Sequence, residues 1–141
     1  MERKNNPIRK IDSIDYVYDY TKGESITGAY CGSAVIAMLT GVSLEKIIEQ
    51  MKDMGDVTKA VLKKVLDSYG ICYAPKSMRF NPNIPLPDIC VIRMRVYDNN
   101  GKFACGHWGL YFKGTFYDPD WGMCDICPPQ CKIFQVWEIY P

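Results

Sequence analysis

The chain predicts an α+β fold, with helices in its first half packed on an antiparallel sheet built from its second half. Between residues 31 and 70, apolar residues recur at the three- and four-residue spacing of helices. From residue 89 onward they recur in short runs bounded by turn signals. Between these regions lies Asn81-Pro82-Asn83-Ile84-Pro85-Leu86-Pro87-Asp88, whose prolines lack the N–H groups that a helix interior or a central strand needs. A chain of 141 residues, 48% hydrophobic, has the size of one domain. Such a domain buries roughly two-thirds of its unfolded surface and needs no covalent staples. Residues 1–141 are therefore read as a single domain, with 1–13 as a loosely packed N-terminus.

Each element has its own signal. Residues 14–20 alternate Ile14, Tyr16, Tyr18 and Tyr20 on one side and predict a short strand, while 21–30 have no period and form a loop. The first helix is expected over 31–40, apolar almost all round and therefore buried, with Gly41 as its stop. Ser43 caps a second helix that presents Leu44, Ile47, Ile48 and Met51. Thr58 caps a third, presenting Val61, Leu62, Val65, Leu66 and Tyr69 and ended by Gly70. Ile71 to Ala74 is read as a short strand. Further strands are expected over 89–96, 103–112, 115–117 and 132–140, with turns at Asp98 to Gly101 and at Lys113-Gly114.

Bulk chemistry removes several function classes. The net charge is +1 with both signs interspersed, which argues for neither a nucleic-acid nor a membrane partner. The basic residues Arg3, Lys4, Arg9 and Lys10 read as solvated. No segment is long enough to cross a bilayer, and the first residues lack the apolar core of a signal peptide. Seven cysteines, an odd and scattered set, suit free thiols in a reducing cytoplasm better than a disulfide framework.

The chain has one histidine, His107, so any thiol–imidazole chemistry passes through it. Cys31 opens the apolar run Cys31-Gly32-Ser33-Ala34-Val35-Ile36-Ala37-Met38-Leu39. Unpaired N–H groups at a helix start favour a thiolate, and a nearby imidazolium favours it further. Gly28 and Gly32 beside it would let a substrate backbone approach. If Lys113-Gly114 forms a two-residue hairpin, Phe112 faces Thr115 and Gly109 faces Asp118. His107 then shares a face with Asp118, and Gly109 leaves room between them. Asp120 falls opposite His107 in the same register, but Pro119 is expected to end the pairing first. Nucleophile, base and orienter are thus Cys31, His107 and Asp118. Taken singly, each also has a plainer reading: a small buried hydrophobe, a structural histidine and an Asp-Pro turn.

The run Tyr30-Cys31-Gly32-Ser33-Ala34, the segment Gly106-His107-Trp108-Gly109-Leu110-Tyr111, and Tyr117-Asp118-Pro119 together resemble papain-like cysteine peptidases. The nearest likeness is to the compact bacterial branch that includes the bacteriocin-leader (double-glycine) peptidases, over roughly residues 24–122. The resemblance implies a papain-like fold with Cys31 opening its central helix. It also implies amide or isopeptide hydrolysis through a Cys31–His107–Asp118 triad and a thioester, on a peptide or protein substrate and without a required cofactor. Two positions depart from the family pattern. The usual glutamine six residues before the nucleophile is Ser25, and the residue just before it, often Asp, is Tyr30. Loss of such a donor typically costs ~10²–10³ in rate. Ser25 and Thr27 are the candidate replacements, together with the Cys31 N–H. Gly28, Tyr30, Gly106 and Trp108 are the candidate cleft residues, although a tryptophan in the core is the plainer reading.

Cys124, Cys127 and Cys131 are spaced C-x₂-C-x₃-C and, with Cys105, make a candidate set for structural zinc. Only one paired motif is present, so thiols that are free or redox-active rank ahead of metal. Three alternatives to the hydrolase stay open. They are a deamidase or transglutaminase on the same triad, a peptide-binding module without catalysis, and a zinc-stabilised binding domain.

Overall fold

The computed structural model describes residues 11–21 and 28–141. Three helices, α1 (Cys31–Thr40), α2 (Leu44–Met51) and α3 (Lys59–Tyr69), precede six strands. These are β1 (Met78–Arg79), β2 (Ile89–Tyr97), β3 (Phe103–Phe112), β4 (Thr115–Asp118), β5 (Gly122–Cys124) and β6 (Cys131–Glu138). They form one antiparallel sheet in the order β1-β6-β2-β3-β4-β5. The α+β architecture follows the sequence pattern, and among the described residues no helix is long and apolar enough to cross a membrane.

Helix boundaries follow local chemistry. The Ser43 and Thr58 hydroxyls accept from the N–H groups of Lys46 and Val61, satisfying donors left over at each helix start. Gly41 and Gly70 end α1 and α3 in the left-handed region, at φ 75° and 81°, where a Cβ would be strained. In α1 every residue from Gly32 to Leu39 is buried, because the helix lies between α2, α3 and β3.

The sheet is buried on both faces. On the helical side, Ile89, Val91, Leu110, Phe112, Trp137 and Ile139 join α1, Leu62, Val65 and Leu66 in the larger core. On the other side, Cys90, Ile92, Met94, Val96, Phe116 and Val136 form a second core, covered partly by Phe80 and by Leu86 of the proline-rich connector that follows it. That connector is what allows β2, which reads as a continuous apolar run, to be covered on both sides.

Three expectations are corrected. Residues 14–20 form no strand. Asp19, set among the tyrosines, is fully buried, whereas Tyr18 and Tyr20 are exposed. The segment makes single contacts with the turn after β4 rather than a ladder, since Asp19 N–H donates to the Pro119 carbonyl. Residues 71–74 pair with the sheet as no more than an isolated bridge between Tyr73 and Ile139, and Pro75 follows without a donor to extend it. Ile11, assigned to a loose N-terminus, lies in the larger core; residues 1–10 fall outside the described part. Strands β1 and β5 were not anticipated, because two or three residues are too few to display a period.

Candidate active site

The site is assembled where β3 outruns β4. Strand β4 pairs with β3 only from Leu110 to Phe112. At His107 the strand therefore has β2 on one side, with Met94 opposite, while its other side opens toward the chain that follows Asp118. The hairpin has the register expected from sequence, with Phe112 opposite Thr115. Lys113 and Gly114 both take positive φ, at 45° and 96°. A Cβ on Gly109 would run into Met94 Cε and would touch Asp118 Oδ2. The missing side chain leaves the imidazole and the carboxylate a shared space.

His107 and Asp118 meet in that space. Nε2 lies 2.9 Å from Oδ1 and 3.0 Å from Oδ2 of Asp118, and both residues are buried. The carboxylate is itself held, because Oδ1 accepts the N–H groups of Asp120 at 2.9 Å and Trp121 at 3.2 Å. This is an aspartate turn that uses the side chain as its own brace. The Tyr16 hydroxyl donates to the Asp118 carbonyl, and Trp121 stands edge-on to the imidazole with ring centroids 5.4 Å apart.

With Nε2 committed, Nδ1 is the nitrogen left for Cys31. It lies 3.5 Å from Asp120 Oδ2. Burial alone would drive the imidazole toward neutrality. The hydrogen bond to Asp118, then the interaction with the Cys31 thiol, outweigh burial and raise its pKa from 6.5 to about 10. This surrounding favours the imidazolium over the neutral ring. The Cys31 thiol acts on it both as a hydrogen-bond partner and through charge.

Asp120 and Asp19 join this group although sequence reasoning did not assign them to the site. Pro119 ends the β4 ladder as expected, yet the chain turns back and keeps Asp120 facing His107. Burial raises the Asp120 carboxyl to about 6, against the opposing pull of the imidazolium. Both of its oxygens accept the Gly28 N–H at 3.2 Å. Asp19 accepts from the Tyr30 N–H at 2.8 Å and from the hydroxyl and N–H of Thr21. Two buried carboxylates thus fasten residues 28–30, the entry to α1, against the strand end that carries Asp118. The available signals were the Asp-x-Asp spacing and an acid set between Tyr18 and Tyr20. Neither announces burial.

The remaining candidates fall as follows. Cys31 is half-buried at the first position of α1, whose N-cap, Tyr30, makes no side-chain cap hydrogen bond. Gly32 is packed so closely that a Cβ would meet Val57 Cγ1 and the Trp108 ring. Trp108 is buried and donates its indole N–H to the Val57 carbonyl. The space at Gly106 is taken by the Arg93 guanidinium, which also stacks on Trp108 at 4.5 Å. Gly28 gives its N–H to Asp120, and the Asp19 carboxylate occupies the place of its absent side chain. Ser25 and Thr27, the candidate oxyanion donors, lie outside the described residues.

None of the seven cysteines is in a disulfide. Burial pushes the Cys90 thiol up to about 12 and Cys127 up to about 11, and raises Cys124 and Cys131 as well, with Asp118 adding to the last three. Cys127 directs its thiol to the Cys131 carbonyl, and Cys124 to those of Trp121 and Gly122. Cys105, Cys124, Cys127 and Cys131 do not meet as a three-ligand group. Among the described residues only His107, Asp118 and Asp120 have the spacing to hold a cation, with one atom from each within 4.8 Å of the others. Those atoms are also the ones that hold the imidazolium.

Comparison with family models, with curated proteins and with solved structures finds no match to this chain.

Proposed function

We propose that the protein is a papain-like cysteine hydrolase acting on peptide or isopeptide amide bonds. The carrying observation is the division of labour on one imidazole. Nε2 is fixed by Asp118, which leaves Nδ1 as the nitrogen free to serve Cys31, a thiol at a helix start that interacts with this imidazole. In this reading the Cys31 sulfur attacks the amide carbonyl, and the N–H groups at the start of α1 receive the oxyanion. The imidazolium delivers its Nδ1 proton to the leaving amine and becomes a neutral base. It then takes a proton from water, whose oxygen attacks the thioester, releasing the acid and restoring the thiolate–imidazolium pair. Asp118 keeps one tautomer and one ring orientation throughout, as the carboxylate does in serine-based triads.

Deamidation or transglutamination would use the same residues with a side-chain amide or with an amine as second nucleophile. The non-catalytic reading draws on a different observation. Asp120 gives Nδ1 a second carboxylate, and an imidazolium held between two carboxylates would be a structural fixture.

Iodoacetamide labelling at pH 7, read by peptide mass mapping, separates the catalytic readings from the non-catalytic one. In the hydrolase reading Cys31 is labelled ahead of the other six thiols, and His107→Ala abolishes the preference. Uniform or absent labelling of Cys31 in both proteins would remove the enzymatic reading and leave the binding module.

A further inference from the structure

The segment from Cys124 to Cys131 joins β5 to β6 and packs three thiols against the second core, where the chemistry above uses none of them. We propose that Cys127 and Cys131 form a dithiol–disulfide site, which a small-molecule disulfide oxidises by thiol exchange. This inference is independent of the hydrolase reading.

Geometry selects the pair. The Cys127 sulfur lies 3.5 Å from the Cys131 carbonyl oxygen, so it is already directed at the residue that carries the second thiol. The turn between them is closed by the Cys131 N–H on the Pro128 carbonyl, at 2.9 Å. Pro129 stands at the second position of that turn, where its fixed φ suits the bend.

Register and direction remove the other pairings. Val96 of β2 stands opposite Cys105 on β3 and opposite Cys131 on β6. Cys105 and Cys131 are therefore two strand spacings apart, at ~4.8 Å each. That exceeds the separation of about 7 Å between Cα atoms beyond which a disulfide does not close. Cys124 points elsewhere, with its thiol on the carbonyls of Trp121 and Gly122 at 3.8 and 3.6 Å. Among the described residues these sulfurs converge in no group of three, which favours pairwise chemistry over a metal.

The two thiols differ in access, which orders the steps. Cys127 is half-buried, and Cys131 is 6% exposed. The Cys127 sulfur, once deprotonated, attacks one sulfur of the external disulfide. One half stays bonded to Cys127, and the other leaves as a thiol with the displaced proton. The Cys131 sulfur then attacks Cys127, forming the internal bridge and expelling the second half as a thiol. Two protein thiols are oxidised and one external disulfide is reduced to two thiols. Burial, and then the charge of Asp118, pushes the Cys127 thiol up to about 11 and raises Cys131 further. Oxidation is therefore slow at neutral pH, and the finished bridge is slow to reopen because its sulfurs are poor leaving groups. The bridge pins the far end of the segment that starts at the Trp121 N–H on Asp118.

The test incubates the reduced, folded chain with glutathione disulfide at pH 8, quenches in acid, then unfolds and alkylates with iodoacetamide. Cleavage before aspartates leaves Cys127 and Cys131 together on the fragment that begins at Asp125, and each other cysteine on a fragment of its own. The Asp125 fragment should lose two hydrogens and take no alkyl group. Its bridged form should exceed its glutathione adduct by about 10-fold or more, because the second thiol is held close. Cys131→Ser should instead trap glutathione on Cys127, and Cys127→Ser should abolish both forms. A bridge from the Asp125 fragment to the one carrying Cys124 or Cys105 overturns the assignment. So does a glutathione adduct on Cys127 that never closes in the unmodified chain, or full alkylation of both thiols after a day.

Discussion

Replacing Asp118 by Asn probes the centre of the arrangement, and the single histidine makes the result readable. The amide keeps an oxygen for the N–H groups of Asp120 and Trp121, so the turn after β4 is retained. What is lost is the charge 2.9 Å from His107 Nε2. Raising the imidazole from 6.5 to about 10 corresponds to roughly 5 kcal/mol in favour of imidazolium, at ~1.36 kcal/mol per pH unit. Asp118 and then Cys31 supply that stabilisation against the cost of burial. An opposite charge at this range ordinarily shifts a pKa by ~1–3 units, so the variant's midpoint should fall by that amount. Two-dimensional NMR of the His107 ring carbons and protons gives the midpoint without assignment ambiguity. Stability supplies a linked readout. The folded pKa exceeds the unfolded value, so the contribution is complete below pH 6.5 and is lost as pH rises toward 10. Urea melts of the unmodified protein should weaken across that window, and those of Asp118→Asn should weaken less. A midpoint of 6 to 7 in the unmodified protein, or one that Asp118→Asn leaves unmoved, would refute the imidazolium and the role given to Asp118.

Three further outcomes are expected. Asp120→Asn should gain stability at pH 8 relative to pH 4, by up to ~3 kcal/mol. Burial raises the Asp120 carboxyl from 3.8 to about 6, so its ionisation costs folding energy as pH rises through that window; urea melts at the two pH values test the sign. Gly32→Ala places a Cβ against Val57 and Trp108 and should cost about 1–3 kcal/mol. It should also slow Cys31 alkylation, whereas full stability and reactivity would show that the α2–α3 loop yields freely. Leu66→Ala removes a side chain 1% exposed in the larger core and should cost about 2–5 kcal/mol in thermal or urea unfolding, with the His107 midpoint unchanged.

Local rules reached a good part of this molecule. Ser43, Thr58, Gly41 and Gly70 bound the helices through hydrogen bonds and backbone preferences that depend only on near neighbours. The Lys113-Gly114 turn is equally local and sets the register that brings Asp118 toward His107, so this pair was legible before any coordinates. The tyrosine alternation at 14–20 misled because a strand needs a ladder of backbone pairings, and this segment makes only single contacts with the turn after β4. The cysteine spacing at 124–131 suggested ligands; the thiols pack together in the second core, yet their sulfurs do not converge as a three-ligand group.

By itself, then, the sequence determined the three helices, the β2–β3–β4 meander and the pairing of His107 with Asp118, because caps, turns and period act over a few residues. Only the tertiary structure decided that Asp19 and Asp120 are buried and which nitrogen of His107 pairs with Asp118. Those features depend on segments about 90 residues apart, such as Gly28 and Asp120, meeting at a strand end. Desolvation, which sets the state of each buried charge, belongs to the packed whole and to no local run of residues.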